Sequence, residues 1–170
     1  MSLSIAQGLA QFREIMASAQ ISAWIVPSAD PHLSEYLPEY WKQREYLSGF
    51  TGSVGTLLIT ADFAGLWVDS RYWEQASLQL EGSGITLMKL GDPDVLGLNE
   101  WLCQQLEAGQ SVGFNGMIMA LKQARQLAQD LEKVGANIVS NQDLFDQLAI
   151  TRPALPRQPL YEHKAPFVNE

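Results

Sequence analysis

Two short polar segments carry most of the side chains in this sequence that could take part in chemistry. The first, residues 30–36, reads Asp-Pro-His-Leu-Ser-Glu-Tyr and offers two carboxylates, an imidazole and a phenol. Metal sites normally need three or four ligands, so this segment alone would be an incomplete set. A serine nucleophile of the G-x-S-x-G type has no counterpart here. We therefore expect most of these loop side chains to close turns and cap local structure.

The second segment, residues 69–73, reads Asp-Ser-Arg-Tyr-Trp and lies where a predicted strand gives way to a predicted helix. Asp69 or Ser70 can cap that helix, and Arg71 can form an ion pair beside it. Because both segments follow predicted strands, their polar groups are expected to gather at one edge of a sheet. The side chains concerned are Asp30, His32, Glu35, Tyr36 and Arg71. We hypothesise that they form one face, which meets another domain or a partner subunit.

A glycine-rich run lies between these segments, at residues 49–55, and reads Gly-Phe-Thr-Gly-Ser-Val-Gly. A dinucleotide fingerprint needs GxGxxG between a strand and a helix, and a P-loop needs a lysine after its last glycine. Here the run follows a predicted helix, enters a predicted strand and has no lysine beside it. It favours a tight backbone connection over a phosphate cradle.

Composition narrows the class of protein further. The chain has 170 residues, enough for one ordinary domain, and 46% of them are hydrophobic. Its net charge of −8, with basic residues scattered, argues against a nucleic-acid partner. Its apolar runs are strand-sized, which argues against a membrane partner. The single Cys103 cannot form an internal disulfide and is expected to be a small buried side chain. Together with the lack of a signal-peptide pattern, this predicts a cytoplasmic location.

Apolar periodicity predicts helices and strands in a mixed order. One face of a first helix carries Ile5, Leu9, Phe12, Met16 and Ala19 at alternating steps of four and three. Strands are predicted at 23–26, 56–60, 64–69, 85–90, 111–114 and 136–139. Further helices are predicted at 38–49, 70–80, 98–106, 117–134 and 143–148. A hairpin followed by alternating strands and helices predicts an α/β domain over residues 1–150, with a mixed β-sheet flanked by helices. The proline-rich residues 151–170 are expected to be a linker into a further domain.

Three blocks in this order closely resemble the N-terminal domain of aminopeptidase P. They are Asp30 to Tyr36, Ser48 to Thr56 (Ser-Gly-Phe-Thr-Gly-Ser-Val-Gly-Thr), and Leu66 to Ala76 (Leu-Trp-Val-Asp-Ser-Arg-Tyr-Trp-Glu-Gln-Ala). Residues 141–146 and the Arg152-Pro153 pair are similar to the end of that domain. The resemblance covers nearly the whole chain and implies a creatinase/prolidase N-terminal fold.

The resemblance also implies what the complete enzyme does. In that family a later pita-bread domain holds two divalent metal ions, usually manganese, on two Asp, one His and two Glu. A metal-bound hydroxide there cleaves the bond between an N-terminal residue and proline. None of those ligand motifs has a counterpart in this chain, so it is expected to contain no catalytic residue, no metal ligand and no cofactor of its own.

By the same resemblance this domain is auxiliary: it restricts access to the active site and supports assembly. Its implied partners are the catalytic domain of the same polypeptide, peptides with proline at the second position, and a second copy in a homodimer. Two alternatives stay open from the residues. One is the same domain from a prolidase or creatinase. The other is a protein-binding module of a pita-bread relative that has lost catalysis, as in a histone chaperone.

Overall fold

A computed structural model describes residues 4–150, 152–155, 157–159 and 162. Six strands form one sheet. They are β1 (Ala23–Pro27), β2 (Thr56–Thr60), β3 (Ala64–Val68), β4 (Thr86–Lys89), β5 (Ser111–Phe114) and β6 (Asn137–Val139). Their order across the sheet is β4-β3-β2-β1-β5-β6. Only β2 runs antiparallel to its neighbours, β1 and β3, while the other adjacent strands are parallel. The predicted mixed α/β sheet and its hairpin are confirmed.

Five α-helices cover the two faces of this sheet. They are α1 (Ile5–Ser18), α2 (Gln43–Ser48), α3 (Trp73–Gln79), α4 (Leu98–Gln105) and α5 (Leu121–Glu132). Short 3-10 helices lie at Glu39–Trp41, Ser70–Tyr72 and Leu144–Gln147. Helix α1 begins with a capping box, in which Ser4 and Gln7 satisfy each other's backbone N–H groups. No helix in the described part of the chain is both long and apolar enough to cross a bilayer.

Strict alternation along the strands separates two hydrophobic cores. On β1, Trp24 and Val26 point to the core under α1, α2 and α3, where Trp24 meets Phe12 edge-on. The intervening Ile25 points to the core under α4 and α5. Both faces of the central strands are therefore covered, which explains why their sequences are continuously apolar rather than alternating.

Four predicted helices are shorter or differently built than the sequence suggested. The predicted helix 70–80 is split into the 3-10 turn Ser70–Tyr72 and helix α3. The predicted helix 38–49 is split into the 3-10 turn Glu39–Trp41 and helix α2, and the predicted helix 143–148 is a 3-10 turn. Helix α5 begins at Leu121 rather than Met117. The reason is a turn in which the Asn115 carboxamide accepts the Met117 N–H at 2.9 Å, with Ile118 buried beside Trp41.

The predicted linker, residues 151–170, begins shortly after the last 3-10 turn. The described residues after 151 are neither helix nor strand. The prediction of a linker also covers residues 151, 156, 160–161 and 163–170, which lie outside the described part. Arg152 packs on the domain, with its Nε donating to the carbonyl of Tyr40 at 3.0 Å.

Candidate functional site

Strand direction places the polar segments at one edge of the sheet. Strands β1 and β3 end at this edge and β2 begins there, since Pro27 pairs with Thr56 and Thr56 pairs with Trp67. The loop after β1, the glycine-rich run before β2 and the loop after β3 are therefore adjacent. We call this the polar edge, made of residues 28–37, 49–55 and 69–72.

Asp30 closes its own loop at the polar edge. It is 3% exposed, and its Oδ1 accepts the backbone N–H groups of His32 and Ser34, each at 2.9 Å. Burial by itself would raise the pKa of Asp30, but the hydrogen bonds from Ser34 and His32 outweigh it and hold the pKa below its ordinary value. The Asp30 carboxylate thus holds the turn together through Oδ1.

Three neighbours of Asp30 are turned outward. His32, Glu35 and Tyr36 are exposed, and Tyr36 keeps 85% of its surface in water. Glu35 and Tyr36 line a cleft of about 200 Å³, which is also lined by Trp41 and by residues 51–53. An aromatic ring this exposed in an ordered loop is typical of a contact surface.

The cleft has a buried arginine in its wall that the sequence did not identify as a site residue. Arg44, on α2, is 5% exposed. Its Nε donates to the Ser28 hydroxyl at 2.6 Å, its Nη1 donates to the Phe50 carbonyl at 2.8 Å, and its Nη2 donates to the Gly52 carbonyl. The guanidinium also lies over the Phe50 ring, 4.8 Å from its centroid. Burial lowers the pKa of Arg44 to about 10, so the side chain stays charged at neutral pH.

The glycine-rich run is the loop that Arg44 holds. Gly49 ends α2 with φ 71°, a left-handed conformation that glycine adopts without strain. A side chain on Gly52 would place its Cβ 2.3 Å from the Phe50 ring and 2.8 Å from the Tyr72 ring. The N–H groups of Phe50 and Thr51 already donate to Ser48 and Gln79 side chains. With those donors engaged, the run is a packed connection, as the sequence indicated.

The segment after β3 forms its own exposed ion pair. Arg71 donates through Nε and Nη2 to the two oxygens of Asp69, at 2.9 and 2.8 Å, and its side chain is 67% exposed. Asp69, not Ser70, caps the 3-10 turn that leads into α3, because its carboxylate also accepts the Arg71 N–H. The Arg71 guanidinium lies 5.4 Å from the centroid of the Tyr72 ring.

Tyr72 connects this segment to the cleft. Its hydroxyl and that of Ser53, a cleft residue, are 2.6 Å apart. The structure therefore links the Arg71 segment to the cleft of Glu35 and Tyr36 through Tyr72 and Ser53. Asp30 and Arg71 themselves are satisfied within their own loops.

The polar edge also carries exposed apolar side chains. Leu33 and Val54 belong to it, and Leu90, Met117 and Leu121 follow β4 and β5, which end at the same edge of the sheet. Nowhere in the described residues do three or more His, Cys, Asp or Glu side chains form a group that could hold a metal ion.

Comparison with known proteins identifies the family to which the chain is similar. The family model of the creatinase/prolidase N-terminal domain matches residues 9–148. A protein of Talaromyces marneffei named "Probable Xaa-Pro aminopeptidase P" is 37% identical over 171 residues, 99% of this chain and 26% of the relative. A protein of the same name from Botryotinia fuckeliana is 37% identical over 162 residues, 94% of this chain and 25% of the relative. The chain thus spans about a quarter of the length of the curated relatives it matches.

Solved structures share the fold of this chain. The X-prolyl aminopeptidase of Caenorhabditis elegans, described as a cytosolic enzyme with a di-nuclear active site, superposes with a TM-score of 0.83. It is 33% identical, and the match covers 91% of this chain and 27% of that one. The N-terminal domain of the cytoplasmic peptidase PepQ of Mycobacterium tuberculosis gives a TM-score of 0.57 at 23% identity, and the match covers 95% of that chain. This second likeness shows the fold alone.

Proposed function

Because this chain belongs to the creatinase/prolidase N-terminal domain family, we propose that it is the non-catalytic N-terminal domain of an Xaa-Pro aminopeptidase. The complete enzyme would remove the N-terminal residue that precedes proline, using metal ions in a separate catalytic domain. The observation that carries this proposal is the similarity, over nearly the whole chain, to the N-terminal quarter of proteins named Xaa-Pro aminopeptidase P. The Xaa-Pro dipeptidase and prolidase neighbours are too distant to support the alternative, since at 18–19% identity they indicate only the fold.

The described residues do not fit the di-nuclear centre named for the C. elegans enzyme. They contain no cluster of metal-binding side chains, and the carboxylates of Asp30 and Asp69 are engaged within their own loops. We therefore assign the two metal ions, expected to be manganese, to polypeptide outside this domain. No catalytic step is derived through residues of this chain.

The role we assign to this domain is to restrict access to the active site and to support assembly. The face that would do so contains Asp30, His32, Glu35, Tyr36 and Arg71, with Asp30 shaping the loop rather than contacting the partner. Support comes from the exposed Tyr36, the exposed Arg71 guanidinium and the exposed apolar side chains at the same edge of the sheet. The partner would be the catalytic domain of the same polypeptide or a second copy in a homodimer. A cytoplasmic location is proposed by analogy with the C. elegans enzyme.

An activity assay on two proteins tests the proposal. The full-length polypeptide and the 170-residue chain are purified and given peptides with proline at the second position. The full-length protein should release the first residue, lose this activity in a chelator and regain it with manganese. The 170-residue chain should release nothing. Turnover by the 170-residue chain, or a full-length protein that binds partners but cleaves no such peptide, would contradict the proposal; the second result would favour the binding module.

A further inference from the structure

Leu33, at the polar edge, is held in a backbone conformation that leucine rarely adopts. Its φ is 54°, in the left-handed region, where the Cβ of an L-residue is crowded by the following carbonyl. Glycine, asparagine and aspartate tolerate this region, whereas a bulky apolar residue there is strained. Strain of this kind is found where a residue serves a function other than the stability of its own domain.

Hydrogen bonds on both sides of Leu33 impose this conformation. Its N–H donates to the Asp30 carbonyl at 3.0 Å, and Asp30 Oδ1 accepts from the N–H groups of His32 and Ser34, the residues on either side. Since Asp30 is buried, the turn is fastened to the body of the domain. The strain at Leu33 therefore belongs to a rigid turn and is not relieved by local movement.

Burial does not compensate for this strain. The Leu33 side chain is 61% exposed, so the domain by itself gains little from its apolar surface. Glycines aside, Gln20 is the other described residue with a positive φ, at 56°. Gln20 directly follows the C-cap of α1, where the left-handed conformation is common, and its side chain is polar. Leu33 follows no helix and carries an exposed apolar side chain, so neither explanation applies to it.

Leu33 and Tyr36 together give this turn two large exposed side chains. Tyr36 is 85% exposed and lies three residues further along the chain. Apolar and aromatic side chains of this size become buried at the centres of protein interfaces. The turn is therefore suited to insert side chains into a partner.

The path of the chain favours one partner. After the last 3-10 turn the chain returns to this side of the domain, where Arg152 donates to the Tyr40 carbonyl at 3.0 Å and lies 3.6 Å from the centroid of the Tyr40 ring. Trp41, the next residue, lines the same cleft as Tyr36. A catalytic domain that follows in the same polypeptide, as proposed above, would thus be tethered on the side that carries Leu33, at a high effective concentration.

We infer that Leu33 is a contact residue kept in a strained conformation, and that its side chain enters an apolar recess on the catalytic domain of the same polypeptide. This inference rests on the proposed function, which supplies that catalytic domain. It adds to the proposed face a residue that was not part of it, and it selects the catalytic domain over a second copy.

Hydroxyl-radical footprinting of the wild-type protein tests the contact directly. The full-length polypeptide and the 170-residue chain are oxidised in parallel, and the modification rate of Leu33 is measured by mass spectrometry. This rate should be about ten-fold lower in the full-length polypeptide, because the side chain is then buried. The control is Leu78, on α3 and outside the polar edge, which is 68% exposed and should be modified at the same rate in both. Equal rates for Leu33 in the two proteins would overturn the inference, and so would protection that disappears on dilution, which would assign the contact to a second copy.

Substitution separates the strain from the contact. Leu33→Asn should raise the urea midpoint of the 170-residue chain by about 0.3 M, because asparagine tolerates the left-handed region. In the full-length polypeptide the same change should lower the midpoint of this domain's transition, because the apolar contact is lost. Leu33→Met keeps an apolar side chain and should leave both midpoints close to those of the wild type.

Gln20→Asn is the matched control for the strain. Gln20 precedes β1 and so lies at the opposite edge of the sheet, where the same substitution should raise the midpoint in both proteins. A Leu33→Asn variant that is destabilised in the 170-residue chain, or stabilised equally in both proteins, would refute the inference.

Peptidase activity of the wild-type full-length protein is measured separately, so the two proposals can fail independently. An inactive full-length protein in which Leu33 is protected would refute the proposed function alone. An active protein in which Leu33 stays accessible would refute the contact alone.

Discussion

Arg44 and Arg71 belong to the same edge of the sheet and are held in opposite ways. Arg44 is buried and donates to a hydroxyl of the loop after β1 and to two backbone carbonyls of the glycine-rich run. Arg71 is exposed and pairs with Asp69 two residues away. The buried arginine connects distant segments, so its removal should disturb the fold. The exposed arginine connects only neighbours, so its guanidinium can be recruited by a partner at little cost to the domain.

The largest loss of stability is expected when Arg44, the buried cation, is replaced. Arg44→Met leaves the Phe50 and Gly52 carbonyls without their donor and should lower the free energy of unfolding by about 3 kcal/mol. Urea unfolding of the 170-residue chain measures this, with Arg125→Met as the control. If the two variants unfold at the same urea concentration, Arg44 does not hold the edge together and the contrast with Arg71 fails.

The next effect comes from the loop that Arg44 holds. Gly52→Ala forces a methyl group against the Phe50 and Tyr72 rings and should cost about 2 kcal/mol through overpacking. Gly8→Ala is the matched control, because no atom lies within 4 Å of its added Cβ and alanine favours the interior of α1. A Gly52 variant as stable as the wild type would mean that the loop moves freely.

Replacing Asp30 should cause a smaller loss of stability, and the size of this loss should depend on pH. Its folded-state pKa is depressed below 3.8, so its contribution is fully present above that value and is lost as pH falls through the lower folded pKa. Between about pH 6 and about pH 3 the wild type should therefore lose more stability than Asp30→Asn, whose amide does not titrate there. Parallel losses in the two proteins would show that the carboxylate does not hold the loop in its charged form.

The smallest effect on stability is expected at Arg71. Arg71→Ala should leave the urea midpoint of the domain unchanged, since an exposed ion pair contributes little. In the full-length polypeptide the same change should reduce kcat/KM for a proline-containing peptide, or weaken assembly, by roughly ten-fold. Lys133→Ala, which removes another exposed ion pair on the far end of α5, should change neither. Equal losses of stability and activity at Arg71 would make it a structural residue and end the contrast.

The sheet was predictable from sequence because its strands are short apolar runs bounded by turns. Helix α5 shows the limit of that method. Residues 117–120 continue the apolar pattern, but the Asn115 side chain closes a turn there and Ile118 is drawn to Trp41. Local periodicity cannot detect a contact between two residues that lie so far apart in the sequence.

The polar edge was predictable in position but only partly in detail. The outward placement of Glu35 and Tyr36 follows from their loop, and Asp30 closes a turn as loop aspartates commonly do. No local pattern in the sequence predicts that Arg44 is buried, because arginine in a helix is almost always exposed. Its burial depends on carbonyls of the Phe50–Gly52 segment, which face it only once β1 and β2 have paired.

In the Phe50–Gly52 segment Arg44 binds only main-chain carbonyls. Its hydrogen bonds there therefore do not depend on the identity of the exposed side chains that the loop carries. Thr51 and Ser53 flank Gly52, whose carbonyl accepts from Arg44, and both residues are exposed to solvent. Replacing Ser53 or Thr51 would leave the Arg44 bonds intact and remove only side-chain bonds, such as that from Ser53 to the Tyr72 hydroxyl or that from Gln79 to Thr51, so the path of the main chain and the side-chain contacts of this loop can be altered separately.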